Sequence, residues 1–224
     1  HGKCGTGKSA IALNIARELG KSSIVVPSKA LQQQYKRDYE ENKYILNSKN
    51  KKLKISVITG RNNHKCKFLE DNKNAIPEQK KEVNSKLYDI FEGRREKLQE
   101  LISKDVSADN KNIPCKIELK EKNFNRLKEY LKQNKKINIK NFEKVSDIKR
   151  MSVAPVCPYW SPVVPEEYDV KNLDEKEKIK YRGLKNKNFY FYKRKPGCGF
   201  YEQFNSYVDS DIIVFNSLKY KLES

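Results

Sequence analysis

The residues with the clearest chemical potential lie at the start of the chain, in Gly2-Lys3-Cys4-Gly5-Thr6-Gly7-Lys8-Ser9. This spacing matches G-x-x-x-x-G-K-[ST], the phosphate-binding loop of nucleoside triphosphatases. Small residues there allow a tight turn that aims several backbone N–H groups at one phosphate chain. The predicted loop-forming positions are Gly2, Gly5, Thr6 and Gly7. We expect Lys8 to contact the β- and γ-phosphates of ATP and the Ser9 hydroxyl to hold Mg²⁺.

A second candidate site consists of thiols that are far apart in sequence. Four of the five cysteines are Cys66, Cys115, Cys157 and Cys198. Because no secretory signal is visible, we expect an intracellular, reducing compartment in which thiols serve metals or chemistry. Four thiolates complete either a [4Fe–4S] cluster or a zinc site. Zinc is the second choice because C-x₂-C knuckles are absent, and small buried hydrophobic side chains are the ordinary alternative. His64 is an alternative ligand, although a solvated loop histidine is the simpler interpretation.

The phosphate loop requires a helix directly behind it, since the helix N-terminus adds partial positive charge to the site. Ile11, Ile15 and Leu19 are spaced as one apolar face of such a helix, and Gly20 is a typical stop. The apolar run at residues 23–26 then predicts a buried parallel strand.

The following segments continue the alternation of helix and strand. Ser28 is predicted to cap a helix that carries Leu31 and Tyr35 on one face. Further strands are predicted at residues 54–58 and 211–216. This order is typical of an α/β, doubly wound nucleotide-binding sheet.

The middle of the chain has a different pattern, with helices joined by lysine-rich connections. The helical positions fall into three groups: Val83, Leu87, Ile90, Leu98, Leu101 and Ile102; then Phe124, Leu127 and Leu131; and, after the last cysteine, Tyr201, Phe204 and Val208. We therefore divide the chain into a first part of the sheet domain at 1–60, a cysteine-bearing insertion of helices and loops at 61–199, and a return to the sheet at 200–224.

The composition indicates a polyanionic partner. The 224 residues contain 48 Lys+Arg against 29 Asp+Glu, a net charge of +19, with aromatic residues among the lysines. Nucleic acid is the first choice and an anionic membrane surface the second. A lysine- and asparagine-rich bias that merely solvates the surface is the alternative. The sequence has no apolar run long enough to span a bilayer.

Four segments together resemble the XPD/DinG family of superfamily 2 DNA helicases. The first is the phosphate loop, and the second is Val25-Val26-Pro27-Ser28-Lys29-Ala30-Leu31-Gln32, similar to a strand followed by T-x-x-L-x-x-Q. The third is Gly60-Arg61-Asn62-Asn63-His64-Lys65-Cys66, similar to G-R-x-N-Y-x-C. The fourth is Cys198-Gly199-Phe200-Tyr201-Glu202-Gln203 with the hydrophobic strand that ends at Asn216.

The resemblance implies a RecA-like motor domain interrupted by an iron–sulfur insertion, in a monomeric ATP-dependent helicase that translocates on single-stranded DNA. Its cofactors would be ATP, Mg²⁺ and a [4Fe–4S] cluster on the four cysteines. The implied nucleic-acid contacts are Ser28, Lys29, Gln32, Arg61 and Lys65. Tyr159 and Trp160 are candidates for base stacking, with core packing as the ordinary alternative.

Several departures from the family pattern affect the prediction. Lys3 and Cys4 replace the usual small or acidic residues, and Ser28 stands where Thr is usual. The strand before the phosphate loop, the D-E-x-H segment and the second motor domain are absent. We therefore expect a fragment with little ATPase of its own. The rivals are a non-motor nucleic-acid-binding protein with a zinc site and, less favoured, a small P-loop kinase.

Overall fold

The chain folds as a mixed α/β structure with two three-stranded sheets. The computed structural model describes residues 7–72, 105–168, 170, 173–183 and 187–223. Gly2 to Thr6 of the phosphate loop and the helical positions from Val83 to Ile102 lie outside these ranges.

In the described ranges the helices are α1 (Lys8–Leu19), α2 (Lys29–Tyr35), α3 (Lys67–Asp71), α4 (Phe124–Gln133), α5 (Arg150–Val153), α6 (Gly199–Glu202), α7 (Ser206–Asp209) and α8 (Ser217–Glu223). The strands are β1 (Ser22–Val26), β2 (Ile55–Val57), β3 (Val163–Pro165), β4 (Glu177–Arg182), β5 (Asn188–Lys193) and β6 (Ile212–Asn216). A π-helical segment, Lys36–Asn42, continues α2.

The parallel sheet has the order β1-β6-β2, so the last strand in sequence lies at its centre. Both Ile24 of β1 and Val57 of β2 are in register with Val214 of β6. The first four residues of β6 are buried, as expected for a strand that is covered on both faces. The predicted strands and the α/β class with a parallel sheet are therefore confirmed.

Helix α1 has the predicted bounds but buries a different face. It begins at Lys8 and ends before Gly20, whose φ of 77° suits glycine. Its buried residues are Leu13 and Ala16. The three residues of the predicted apolar face are instead 56% to 73% exposed: Ile11, Ile15 and Leu19. That part of the prediction is wrong, because α1 is apolar on more than one side and its spacing does not say which side meets the sheet.

Helix α2 begins as predicted, at a serine cap. The Leu31 backbone N–H donates to the Ser28 hydroxyl over 3.2 Å, which satisfies one donor of the first turn. Tyr35 is buried and Leu31 packs against the same cluster. This sheet core also contains Leu13, Val26, Ile55 and Val214, together with Ala16, Leu53, Val57 and Ile212.

The insertion contains a sheet that the sequence analysis missed. Strands β3, β5 and β4 form an antiparallel sheet in that order, where only helices and loops were expected. The alternation of polar and apolar residues in Lys178-Ile179-Lys180-Tyr181-Arg182 is a strand signal. Gly183 ends β4 where a Cβ would lie 2.6 Å from the Phe189 ring, so only glycine fits there.

Two further clusters fill the rest of the described structure. The satellite core lies around α4 and comprises Ile117, Leu127, Tyr130, Leu131, Val145, Ile148 and Val153. The larger thiol core contains Cys66, Cys157 and Cys198 and reaches Ile213 and Phe215 of β6. Because this core packs across the insertion and the parallel sheet, the two are joined by a common apolar interior. The division at 60 and 199 stays a prediction.

The parallel sheet generates a stability prediction from two valines on neighbouring strands. Val214 is fully buried, whereas Val25 is 43% exposed. We expect Val214→Ala to lower the free energy of unfolding by about 2 kcal/mol, because it removes buried methyl groups and leaves a cavity. Val25→Ala, the matched control, should cost about 0.5 kcal/mol or less. Chemical denaturation measures both, and equal losses would contradict the assignment of β6 to the sheet centre.

Candidate functional site

The described end of the phosphate loop has the backbone that the motif requires. Gly7 adopts a left-handed conformation, φ 72° and ψ 16°, directly before α1. A Cβ at Gly7 would meet no atom within 4 Å, so the need for glycine is conformational rather than steric. Lys8 and Ser9 occupy the first turn of α1, where an anion experiences the partial positive charge of the helix. The Tyr35 hydroxyl lies 3.5 Å from the Ser9 carbonyl oxygen and links α1 to α2.

One buried amide of α2 connects the carboxyl ends of β2 and β6. Gln32 is 2% exposed. Its Nε2 donates to the Ile58 carbonyl oxygen, and its Oε1 accepts from Asn216 Nδ2 over 3.1 Å. Both hydrogen-bonding groups of this predicted nucleic-acid contact are therefore used inside the protein. Ser28 and Lys29, the two neighbouring candidates, are exposed.

The four predicted metal ligands converge. Cys66, Cys157 and Cys198 are buried members of the thiol core, and Cys115 packs against it. Burial raises the pKa of the Cys66 thiol to about 11, and Cys115 and Cys198 add to this electrostatically. Residues separated by long stretches of sequence thus share one low-dielectric environment.

Within this group, two cysteine side chains interact. The interaction with Cys157, reinforced by the Arg61 guanidinium, lowers the pKa of Cys115 below that of a free thiol, against the effect of burial. The same interaction raises the pKa of Cys157. Cys115 therefore has the greater thiolate character of the pair.

Arg61 lies beside the cysteines, although the sequence analysis grouped it with nucleic-acid contacts. Its Nη1 donates to Cys115 Sγ over 3.5 Å and to the Ala108 carbonyl oxygen over 3.1 Å. Its Nη2 donates to the Tyr201 hydroxyl over 2.8 Å, and its Cζ lies 4.2 Å from the centre of the Phe200 ring. These contacts account for the guanidinium within the protein. Lys65, the other candidate near the first cysteine, is exposed.

Three aromatic or imidazole candidates have internal partners. His64 Nε2 lies 2.8 Å from Thr59 Oγ1, and the imidazole packs edge-on against Phe200. Tyr159 and Trp160 are buried in the thiol core, which agrees with their core interpretation. His64 therefore contacts the segment that follows β2. Tyr159 and Trp160 would have to move out of the thiol core to stack on bases.

The donor set fits a thiolate-bound metal centre in number and chemistry. Four cysteines belong to one apolar cluster or pack against it. One of them, Cys115, has a lowered pKa because Cys157 and the Arg61 guanidinium favour its thiolate form. Metal binding requires the other thiols to lose protons, which the charge of a bound cation favours. In the described residues, no group of three or more His, Cys, Asp or Glu side chains is close enough together to form a ready-made metal site. The sulfurs would therefore have to draw inward on binding.

Two arginines near the cysteines were not identified from the sequence. Arg150 and Arg194 donate hydrogen bonds to backbone carbonyl oxygens on either side of Cys115 and Cys157. Their partners are main-chain atoms, which every residue has, so no spacing or motif marks these positions beforehand.

No family model, curated protein or solved structure matches this chain. Among the described residues, no helix is both long and apolar enough to cross a bilayer.

The two interacting thiols generate a chemical prediction. In the metal-free, reduced chain, oxidation by diamide should join Cys115 to Cys157 first, because their side chains interact and Cys115 has the greater thiolate character. Each thiol loses a proton and an electron as the S–S bond forms, and diamide is reduced to the hydrazine. Peptide mapping by mass spectrometry should find this cross-link in the wild type and lose it in Cys157→Ser. Random pairing that includes Cys4 equally would show that the thiols do not converge as described.

Proposed function

We propose that this chain is part of an ATP-dependent DNA helicase of the XPD/DinG type, which translocates along single-stranded DNA. The observation that carries the proposal is the convergence of Cys66, Cys115, Cys157 and Cys198 in a core that continues into a parallel sheet. A phosphate-loop helix packs on the same sheet through Leu13. A nucleotide site and a four-thiol site on one parallel sheet are the combination that the resemblance implies.

The nucleotide site is assigned to the start of α1. In the proposal, backbone N–H groups from Gly2 to Gly7 surround the phosphates of ATP, Lys8 contacts the β- and γ-phosphates, and Ser9 holds Mg²⁺. The left-handed Gly7 and the helix that begins at Lys8 support this assignment. The 224 residues contain no D-E-x-H segment to orient Mg²⁺ and water, so we expect little turnover from this chain alone.

The metal site is assigned to the four cysteines. A bound [4Fe–4S] cluster supplies cross-links between loops that are distant in sequence. The residues of this chain bring the sulfurs together in an apolar interior, keep Cys115 beside a guanidinium, and exclude water through Phe200 and Tyr201. The interaction between Cys115 and Cys157, together with their place in or against the thiol core, supports both as ligands beside Cys66 and Cys198.

Single-stranded DNA is the proposed partner because the net charge is +19. Ser28 and Lys29 are exposed next to the end of β1, where parallel sheets typically bind ligands. Short polar and cationic groups there can hold phosphates without reading bases. Lys65 extends this exposed set toward Cys66. Arg61 and Gln32 have internal partners, so in this proposal they support the surface rather than contact DNA.

Metal content tests the proposal against its zinc-binding rival. Anaerobic purification should give a brown chain with about four iron atoms, since four thiolates complete one [4Fe–4S] cluster. Cys66→Ser should lose most of the iron, whereas Cys4→Ser, at a cysteine that is not among the four proposed ligands, should keep it. Elemental analysis and visible absorbance measure both variants. A colourless wild-type chain with one zinc would favour the non-motor alternative, and a folded chain without either metal would overturn both.

The nucleotide and DNA assignments predict separable losses in this chain. Lys8→Ala should reduce MgATP binding strongly and leave single-stranded DNA binding unchanged, because the two ligands contact different residues. Lys29→Ala should weaken single-stranded DNA binding and leave MgATP binding unchanged. It should also reduce the magnitude of the slope of log K for DNA against log salt concentration by about 1. Calorimetry with MgATP and fluorescence anisotropy with labelled oligonucleotides at several salt concentrations measure these effects. MgATP affinity that Lys8→Ala leaves intact would remove Lys8 from the nucleotide site.

A further inference from the structure

Two guanidinium groups hold the loops that carry the middle two cysteines. Arg150 begins α5, and Arg194 follows β5, so they reach the loops from different elements. Arg150 is distant in sequence from Cys115, and Arg194 is distant in sequence from Cys157. Both guanidinium groups are substantially removed from solvent. Their hydrogen-bond partners are backbone carbonyl oxygens that flank Cys115 and Cys157.

Arg150 spans the loop around Cys115. Its Nη2 donates to the Ile117 carbonyl oxygen over 2.6 Å, and its Nη1 donates to the Pro114 carbonyl oxygen over 3.3 Å. One acceptor precedes the cysteine and the other follows it. A planar guanidinium bonded on both sides fixes the direction in which this loop presents its sulfur.

Arg194 spans the loop around Cys157 with more bonds. It is 8% exposed. Its Nη1 donates to the carbonyl oxygens of Cys157 over 2.7 Å and Trp160 over 3.2 Å, and its Nη2 donates to that of Pro155 over 3.2 Å. Its Nε donates to the Asp174 carbonyl oxygen over 2.9 Å. All three guanidinium nitrogens are therefore used to hold backbone.

Both arginines also place positive charge beside the sulfurs. Burial lowers the pKa of each guanidinium. Cysteines oppose this shift: Cys115 raises the pKa of Arg150, and Cys157 raises the pKa of Arg194. An arginine remains charged in proteins under all ordinary conditions. A centre built on four buried thiolates is negatively charged, and nearby cations offset the cost of burying that charge. Such cations favour the reduced state of a cluster bound there, because that state is the more negatively charged one.

We propose that Arg150 and Arg194 are positioning residues of the thiol centre, which fix the Cys115 and Cys157 loops through their carbonyl oxygens and raise the reduction potential of the cluster held there. The inference rests on the proposed iron–sulfur centre. It goes beyond that centre by assigning a second layer of residues that no ligand motif contains. The two effects, fixing the loops and supplying positive charge, can be tested separately. Lysine in place of arginine keeps the positive charge but lacks the planar guanidinium group.

The test compares four variants of the 224-residue chain purified anaerobically: Arg194→Gln, Arg194→Lys, Arg150→Gln and Arg126→Gln. The last is the matched control, since Arg126 is also buried but donates to the Asn112 side-chain oxygen. The readouts are iron per chain, the rate of absorbance loss in excess chelator, and the midpoint potential of the cluster from a redox titration.

We expect both glutamine variants at Arg150 and Arg194 to lose absorbance several-fold faster than wild type and to have a more negative midpoint potential. Arg194→Lys should also lose absorbance faster, because an ammonium with three donors on one atom cannot reproduce four hydrogen bonds to separated carbonyl oxygens. Its potential should stay close to that of wild type. Arg126→Gln should match wild type in both measurements. Should Arg194→Gln prove insoluble, Arg150→Gln and Arg194→Lys supply the same comparison.

The outcomes distinguish this inference from the proposed function. Wild type with iron, together with variants whose potential and absorbance loss equal those of Arg126→Gln, would overturn the inference and leave the iron–sulfur centre standing. A wild-type chain that holds no iron would overturn both. Faster absorbance loss with an unchanged potential in all variants would overturn the electrostatic half and support the loop-fixing half.

Discussion

Bringing four sulfurs together inside an apolar cluster is the constraint on which the remaining structure depends. Cys66 and Cys198 are far apart in sequence, so their common burial closes the intervening chain on itself. Cys157 and Cys115 bring two further loops to the same interior. Thiols are small and tolerate burial, but a low-dielectric interior resists their ionisation, which Cys157 and Arg61 relieve in part at Cys115.

The parallel sheet gives this cluster a rigid support. Strand β6 is central, and its side chains belong to two cores: Val214 packs into the sheet core and Phe215 into the thiol core. Gln32 joins the ends of β2 and β6 through buried hydrogen bonds, next to the exposed Ser28 and Lys29. Helix α1, the exposed polar edge and the cysteines are therefore attached to the same few strands.

The strongly basic composition is used in two different ways. Most lysines of the described residues are at the surface, where they contribute to a positive long-range field. The arginines at positions 61, 150 and 194 are instead turned inward, onto carbonyl oxygens, a phenol and a sulfur. The planar guanidinium, with five donors and a delocalised charge, suits that role better than an ammonium group does. Net charge alone therefore overstates the number of cations available to a nucleic acid.

The amino-acid sequence by itself determined the local features: the helix behind Gly7, its end at Gly20, the Ser28 cap, and the apolar strand that became β6. Each depends on residues that are neighbours along the chain, so periodicity and capping chemistry suffice to predict it. Only the tertiary structure decided which face of α1 is buried, that Arg61 contacts Cys115, and that Arg150 and Arg194 hold the cysteine loops. Those contacts join distant segments through carbonyl oxygens that every residue carries, and such partners leave no pattern in the sequence.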